Sequence, residues 1–307
     1  MFFRKKILKK LEKSLLVIDK KDGRTSHDEV AILRKKISEI LKKKKIKVGH
    51  SGTLDPKVTG VLVVGLGKAT RVLEYILLSE KKYIAEFLFH QEISENIFLE
   101  NMKKFVGKIR QLPPRKSAVK REVREREVYE MKVLDFDKEK NRKAEILCSV
   151  ERGTYIRKLA HDLGEEIGVQ ISMGDLRRIQ AGVYSLENSN FIQTEKFLQK
   201  LERFFSPFGW VFYWDIKKYF YSLEDFFVCL DKVEKIKKIE VKKEAVKYIL
   251  SGNSVRWKNL EDRKNVVDSE KFSLWYKGRV LAVGEKIFEN ENNKDDEVEI
   301  LKIKKVF

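Results

Sequence analysis

Apolar positions first fall into a helical rhythm. Phe3, Ile7, Leu8 and Leu11 share one side of a short basic segment over residues 2–13, the three-and-four spacing of an amphipathic helix. Leu15, Leu16, Val17 and Ile18 form an apolar run that predicts a strand, closed by the turn signal Asp22-Gly23. Ser26, with Glu29 three residues on, predicts a helix opened by a capping box. Val30, Leu33, Ile37 and Leu41 carry that helix on one face. The lysine run over 42–45 reads as its solvated end or a loop. A densely punctuated loop follows, with Gly49-His50-Ser51-Gly52, Asp55-Pro56 and Thr59-Gly60 entering the apolar run 61–64.

Downstream, residues 83–89 predict a strand and 97–106 a helix. Period-two patterning over 128–136 and 144–150 predicts two more strands. A helix over 155–167 is entered through Gly153, and Arg177-Arg178 lie in an element bounded by Gly174 and Gly182. Residues 190–230 are aromatic and helical in tone, bridging two domains. Beyond them come a helix over 242–250 and short strands over 272–276 and 280–283, spaced by Gly252, Gly278 and Gly284. Those strands suggest a small β-barrel. The whole pattern predicts an α+β chain with a basic N-terminal extension (1–13), a main domain (14–235) and a small C-terminal domain (236–307).

Composition narrows the class. The 307 residues are 42% hydrophobic and include 19 Phe, which excludes a wholly disordered chain. Four prolines and two cysteines exclude a Pro-rich linker protein and a disulfide scaffold. With four histidines and two distant cysteines, Cys148 and Cys229, no metal ligand set is predicted. The longest uncharged apolar stretch, 58–66, is too short to cross a bilayer. Lys and Arg interrupt Phe2, Phe3, Ile7 and Leu8, so no secretory signal is read, and a soluble, cytoplasmic protein is expected.

Charge speaks to partners. Lys and Arg number 66 against 47 Asp and Glu, a net charge of +19. The first 47 residues hold 17 basic and 6 acidic side chains, residues 108–127 hold 8 and 3, and residues 240–307 hold 15 and 13. This uneven distribution favours a nucleic acid held through its phosphates. No long basic helix with a clean aromatic face points to a membrane instead.

One segment goes further. Gly49-His50-Ser51-Gly52-Thr53-Leu54-Asp55-Pro56-Lys57-Val58-Thr59-Gly60 resembles the signature of the TruB/dyskerin family of RNA pseudouridine synthases. Asp19-Lys20, Gly23 and Thr25-Ser26-His27 resemble the family's upstream motif, with Lys21 where proline is usual. Gly153-Thr154-Tyr155-Ile156-Arg157 and Leu176-Arg177-Arg178 resemble two further blocks, in the family's order. Pro113-Pro114 with the block 117–121 is similar to the thumb loop of the archaeal and eukaryotic branch, and residues 236–307 resemble a PUA domain, a small RNA-binding barrel. The resemblance implies a synthase domain with a mixed, largely antiparallel sheet and a PUA-like barrel. It also implies isomerisation of uridines in tRNA or rRNA without cofactor, as the catalytic subunit of an archaeal H/ACA guide ribonucleoprotein. The partners implied are the guide RNA, the target RNA and proteins like Nop10, Gar1 and L7Ae. Two alternatives stay open: a stand-alone tRNA TΨC-loop synthase and a non-catalytic RNA-binding assembly protein.

The resemblance also assigns residues. Asp55 is the catalytic aspartate, whether it attacks C1′, attacks the uracil ring or abstracts a proton at C2′. Arg177 is expected to pair with it bidentately, while Arg178 is read as a surface arginine touching phosphate. Tyr83 is a stacking platform for the target base. His50 either contacts nucleotides during flipping or braces its loop, and Lys20 supports that loop or a phosphate. Tyr155 and Arg157 either line the pocket or pack beside it in a structural ion pair. Arg115, Lys116, Lys120, Arg121, Arg124 and Arg126 form a thumb that grips phosphates, and Gly252, Arg256 and Trp257 are guide-RNA contacts.

Overall fold

The structure, a computed structural model, describes residues 2–42, 46–114, 120–232, 236–256, 260, 271–290 and 297–307. In chain order the first elements are α1 (Phe2–Leu11), β1 (Ser14–Lys20), α2 (Ser26–Leu41), β2 (Val48–His50) and β3 (Thr59–Leu66). Then come α3 (Leu73–Leu77), β4 (Lys81–Phe89), α4 (Glu95–Lys103), β5 (Gly107–Gln111), β6 (Arg124–Phe136) and β7 (Lys143–Val150). The middle of the chain supplies α5 (Ile156–Ile167), β8 (Ile171–Ala181), β9 (Tyr184–Ser185), β10 (Phe191–Ile192), α6 (Thr194–Phe205), α7 (Tyr213–Lys217), β11 (Tyr221–Ser222) and α8 (Leu223–Lys232). The last elements are β12 (Lys237–Glu240), α9 (Lys243–Leu250), β13 (Val255–Arg256), β14 (Lys271–Tyr276), β15 (Arg279–Asn290) and β16 (Glu297–Val306). They form two compact units, one from residues 16–64 and 73–219, the other from 1–15, 65–72 and 220–307. No helix among the described residues is long and apolar enough to cross a membrane.

The large sheet runs β10-β1-β3-β8-β4-β7-β6-β5, with β2 on β3, β9 on β8 and β11 on the first residues of β1. Pairing is parallel at β1/β10 and β3/β8 and antiparallel from β8 through β4, β7 and β6 to β5. The mixed, mostly antiparallel α+β sheet is thus present. Its period-two strands put Ala85, Phe87 and Phe89 of β4 and Ala144, Ile146 and Cys148 of β7 into one core. Phe98 and Met102 of α4 and Leu159, Ala160 and Leu163 of α5 cover that core. Burying each larger side chain is worth about 1.5–3 kcal/mol. In α1, Ile7 and Leu11 are fully buried, as the spacing of that basic segment predicts.

The start of α2 differs from its sequence pattern by one residue. Thr25 is the cap, accepting from the Asp28 amide at 3.0 Å, and the Asp28 carboxylate accepts from the Thr25 amide at 2.8 Å. Ser26 cannot serve as cap because its hydroxyl is committed to Leu54.

The small sheet corrects a larger expectation. Its five strands run β12-β14-β15-β16-β13 as an open path, and no sheet among the described residues closes into a barrel. Among the described residues β12 pairs only with β14, in parallel. At the far edge β13 contributes two pairs, Val255 with Leu301 and Arg256 with Ile300, and among the described residues no ladder joins β12 to β13, as closure would require. Instead α9 supplies Ala245 and Ile249 to a core with Ile239, Val255, Phe272, Leu274 and Ala282.

Candidate functional site

The loop between β2 and β3 carries Asp55, and buried groups from three other elements hold its backbone. From the end of β1, Lys20, only 1% exposed, donates its ammonium to the carbonyls of Lys21 (2.8 Å), Pro56 (2.9 Å) and Val58 (2.7 Å). Burial lowers its pKa, and the carboxylates of Glu29, Asp22 and Asp55 act to keep it charged. Gly23 adds its amide to the Pro56 carbonyl at 3.1 Å. From the first turn of α2, the buried Ser26 hydroxyl accepts from the Leu54 amide at 2.7 Å. The residue before Asp55 is thereby tied to a helix and the residue after it to a strand.

The neighbouring arginines of β8 divide by strand geometry. Thr59 and Gly60 of β3 lie beside Arg177 and Arg178 in parallel register, and successive side chains of a strand leave on opposite faces. Arg178, 2% exposed, points inward and donates to the carbonyls of Val61 (2.7 Å) and Gly52 (3.3 Å). It is therefore an internal strut of the loop, not the surface phosphate contact its sequence suggests. Gly60 makes room for this register: its φ is +99°, and a Cβ there would lie 2.1 Å from the Arg178 carbonyl oxygen.

Arg177 leaves on the other face, where its guanidinium meets Asp19 at 3.0 Å and the Thr59 hydroxyl at 3.5 Å. The carboxylate of Asp55 is held by a different cation, Arg157, with Nη2 to Oδ2 at 3.0 Å. The expected Arg177–Asp55 pair is replaced by two pairs, because Asp19 at the end of β1 meets Arg177 where the parallel β3/β8 ladder places it. Asp55 and Arg157 are open to solvent, their side chains 57% and 56% exposed.

The remaining residues take defined places. His50 accepts the Gly52 amide on Nδ1 at 3.2 Å and meets the His27 ring edge-on, centroids 4.9 Å apart. Accepting from an amide requires that nitrogen to be unprotonated. Burial first, then the His27 ring and the Arg178 guanidinium, lower the imidazole's pKa. Tyr83 is half-buried on β4, opposite Arg178 and Cys148, and packs on the central core. Tyr155 stands at the cap position of α5, two residues before Arg157.

Lys120 and Arg121 are exposed at the foot of β6, Lys120 paired with Glu122. Arg124 donates to the Lys120 carbonyl at 3.4 Å, while Arg126 lies against Gly153. Gly252 follows α9 with φ +79°, and Arg256 is exposed on β13. Arg115, Lys116 and Trp257 lie outside the described residues. On the exposed face of α5, His161, Asp162 and Glu165 bring ligand atoms within 4.8 Å of one another. Lys158 already pairs with both acids there.

Comparison with known proteins connects this geometry to a family. Residues 38–156 match the TruB family pseudouridylate synthase N-terminal domain, and residues 157–205 match the tRNA pseudouridylate synthase B C-terminal domain. Over nearly its whole length, 98% of this chain and 86% of the other, the structure also resembles a chain of a crystallised Cbf5-Nop10-Gar1 complex, at 30% identity and a TM-score of 0.80. The chain belongs to the TruB/Cbf5 family of pseudouridine synthases. A further TruB/Cbf5-like structure is an H/ACA RNP bound to a substrate RNA containing 2′-deoxyuridine, at 28% identity and a TM-score of 0.77 over 98% of this chain and 87% of that one.

Among curated relatives, "Probable tRNA pseudouridine synthase B" of Nanoarchaeum equitans is 42% identical over 183 residues, 60% of this chain and 50% of that protein. Its namesake from Pyrococcus furiosus is 44% identical over 167 residues, 54% and 46%. The chain thus spans about half the length of the curated relatives it matches. The first TruB segment contains His50, Asp55 and Tyr83, and the second opens at Arg157 and contains both arginines of β8. Asp19, Lys20 and Ser26 precede both segments, so two of the three buried side chains that hold the Asp55 loop, Lys20 and Ser26, lie outside the matched residues.

Sequence reasoning missed four of these roles. Ser26 has a cap signature that its neighbour Thr25 fulfils. Asp19 hides at the end of an apolar strand. Arg178 is indistinguishable from Arg177 until the register is known. Gln111, which clasps the backbone of Tyr155, has no sequence signal beyond its place before Pro113-Pro114.

Proposed function

We propose that this protein isomerises uridines in RNA to pseudouridine, with Asp55 as the catalytic carboxylate, as the catalytic subunit of an H/ACA-type ribonucleoprotein. The observation that carries this is an exposed carboxylate on a loop whose backbone is fixed by the buried Lys20, Ser26 and Arg178. Pseudouridylation breaks the N1–C1′ bond, turns the base and forms a C5–C1′ bond. The C5 proton is lost and N1 gains one, so nothing is consumed. Attack on C1′, attack on the ring and proton abstraction at C2′ all begin from an ionised, accessible carboxylate. Arg157 keeps Asp55 paired, taking the part the family motif suggested for Arg177. In an open pair the guanidinium is free to turn to an RNA phosphate.

Tyr83 offers a face on which the flipped base stacks, worth about 1–3 kcal/mol. His50 braces the loop by accepting from Gly52. Lys120 and Arg121, with Arg115 and Lys116, grip substrate phosphates, and Gly252, Arg256 and Trp257 meet the guide. The guided assignment is supported by likeness over 98% of the chain to a protein crystallised with Nop10 and Gar1.

A second reading, a synthase acting alone on tRNA, is favoured by the names of the curated relatives. Pseudouridine formation on an unmodified transcript separates the two. Product only when guide RNA and partner proteins are added supports the guided enzyme, and efficient product from the protein alone supports the stand-alone one. RNA binding without product under every condition, equal to that of Asp55→Ala, would leave a binding protein.

A further inference from the structure

The Asp55–Arg157 pair cannot hold itself in place. Both side chains are more than half exposed, and such pairs contribute little because water and salt compete for each charge. What the fold can fix of Arg157 is the point from which its side chain starts, the backbone at the first turn of α5. That turn has no side-chain cap of its own: Tyr155 occupies the cap position and makes no capping bond with its side chain.

Gln111 supplies the missing constraint. It is the last residue of β5, 2% exposed, and both ends of its amide go to the backbone of one residue. Its Oε1 accepts from the Tyr155 amide at 3.0 Å, and its Nε2 donates to the Tyr155 carbonyl at 3.3 Å. The same carbonyl also accepts the Leu159 amide at 3.0 Å, the first bond of the helix. A buried primary amide bound this way fixes both peptide planes flanking Tyr155, and with them the point where α5 begins. Buried amide groups left without partners are costly, so the clasp resists slipping.

We propose that Gln111 is a positioning residue for the reaction: by fixing the start of α5 it sets the guanidinium of Arg157 against Asp55. The inference rests on the synthase reading for its consequence in turnover, but the clasp itself is measurable without turnover.

Gln111→Met fills the same volume and removes both bonds, and Gln111→Glu keeps only the acceptor. Hydrogen exchange on the full chain should show amides 155–159 exchanging at least about tenfold faster in Q111M, with β3 and α2 unchanged, and faster than wild type in Q111E too, where a carboxylate oxygen faces the Tyr155 carbonyl. That change reports loss of local protection. In the complete guide complex, Q111M should lower kcat about tenfold at unchanged KM and unchanged RNA affinity. Combined with Arg157→Gln it should add nothing to the loss from R157Q alone, as expected for residues acting through one another.

Unchanged exchange at 155–159, a loss confined to KM, or losses that multiply in the double variant would each overturn the proposal. If the wild-type complex makes no pseudouridine, the synthase reading fails, and exchange in Q111M and Q111E alone decides whether Gln111 fixes α5. Should Q111M not fold, Q111E carries the same exchange and double-variant comparison.

Discussion

Two sets of charges surround Asp55 and differ in every physical respect. Beneath the loop, Lys20 and Arg178 are 1% and 2% exposed and direct their donors to main-chain carbonyls. At its open side, Asp55 and Arg157 are 57% and 56% exposed and pair with each other. A buried cation bonded to carbonyls cannot move without stranding both itself and its acceptors, so it fixes a backbone path. An exposed pair opens at little cost, so its carboxylate remains available to a substrate. Rigidity thus resides in the frame and reactivity in the face, and substitutions should separate the two.

The largest effect is expected on the face. Asp55→Asn preserves shape and removes the charge. Product formation should fall on the order of a thousandfold, within the range for loss of a positioned acid or base. RNA binding should be unchanged and urea unfolding should shift by less than about 1 kcal/mol. A comparable loss of folding stability would show that Asp55 belongs to the frame, and the contrast would collapse.

Next comes the frame, where Arg178→Met and Arg177→Met make a matched pair. Arg178→Met leaves the carbonyls of Val61 and Gly52 without these donors. Hydrogen bonds from a charged group are worth about 1.5–3 kcal/mol each, so a loss of about 3 kcal/mol is expected in urea unfolding. Arg177→Met opens a partly exposed pair with Asp19, and solvent screening holds its cost to about 1 kcal/mol. Equal losses at the two positions would mean that burial does not divide them.

Ser26→Ala probes the same frame more gently. It should cost about 1–2 kcal/mol, the penalty for an orphaned buried amide at Leu54, while helix content by circular dichroism stays constant. Thr25→Ala should cost about 1 kcal/mol through the lost cap and accelerate exchange in the first turn of α2. If Ser26→Ala frays the helix instead, the hydroxyl is acting as a cap after all.

These pairs also mark how far the sequence was legible. Local rules found many of the main elements, because strand and helix periods are written in adjacent residues: 83–89 became β4, 242–250 became α9, and 128–136 became most of β6. By contrast, β5, β12 and β16 went unread, and β8 was left as an element without a type. The motif around Asp55 located the candidate carboxylate. What stayed hidden depends on register between distant segments. Arg177 and Arg178 are identical in type, and only the alignment of β8 with Thr59 and Gly60 decides which turns inward. Ser26 and Thr25 both carry cap chemistry, and the approach of Leu54 decides between them. The expected barrel failed for the same reason. Strands 272–276 and 280–283 were legible, but whether β12 and β13 meet is set by long-range pairing, and in this sheet they are its two edges.

The smallest effect is a pH dependence that tests whether His50 belongs with the frame. Burial, helped by His27 and Arg178, lowers its pKa in the fold, while in the unfolded chain it titrates near 6.5. As pH falls through about 6.5 the unfolded chain takes up the proton before the folded one, which stabilises the unfolded state. The contribution of His50 to stability is therefore fully present above that pH, declines as pH drops toward the folded value, and levels below it. Protonation also removes the acceptor for the Gly52 amide, so turnover should fall with pH more steeply than RNA binding. His50→Gln keeps an acceptor without a titrating group. Urea unfolding from pH 8 to 5 should show a shallower decline in the variant, the difference being the His50 contribution. Matching profiles in the two proteins would mean that the imidazole feels no burial, and that His50 stands with Asp55 and Arg157 on the open face.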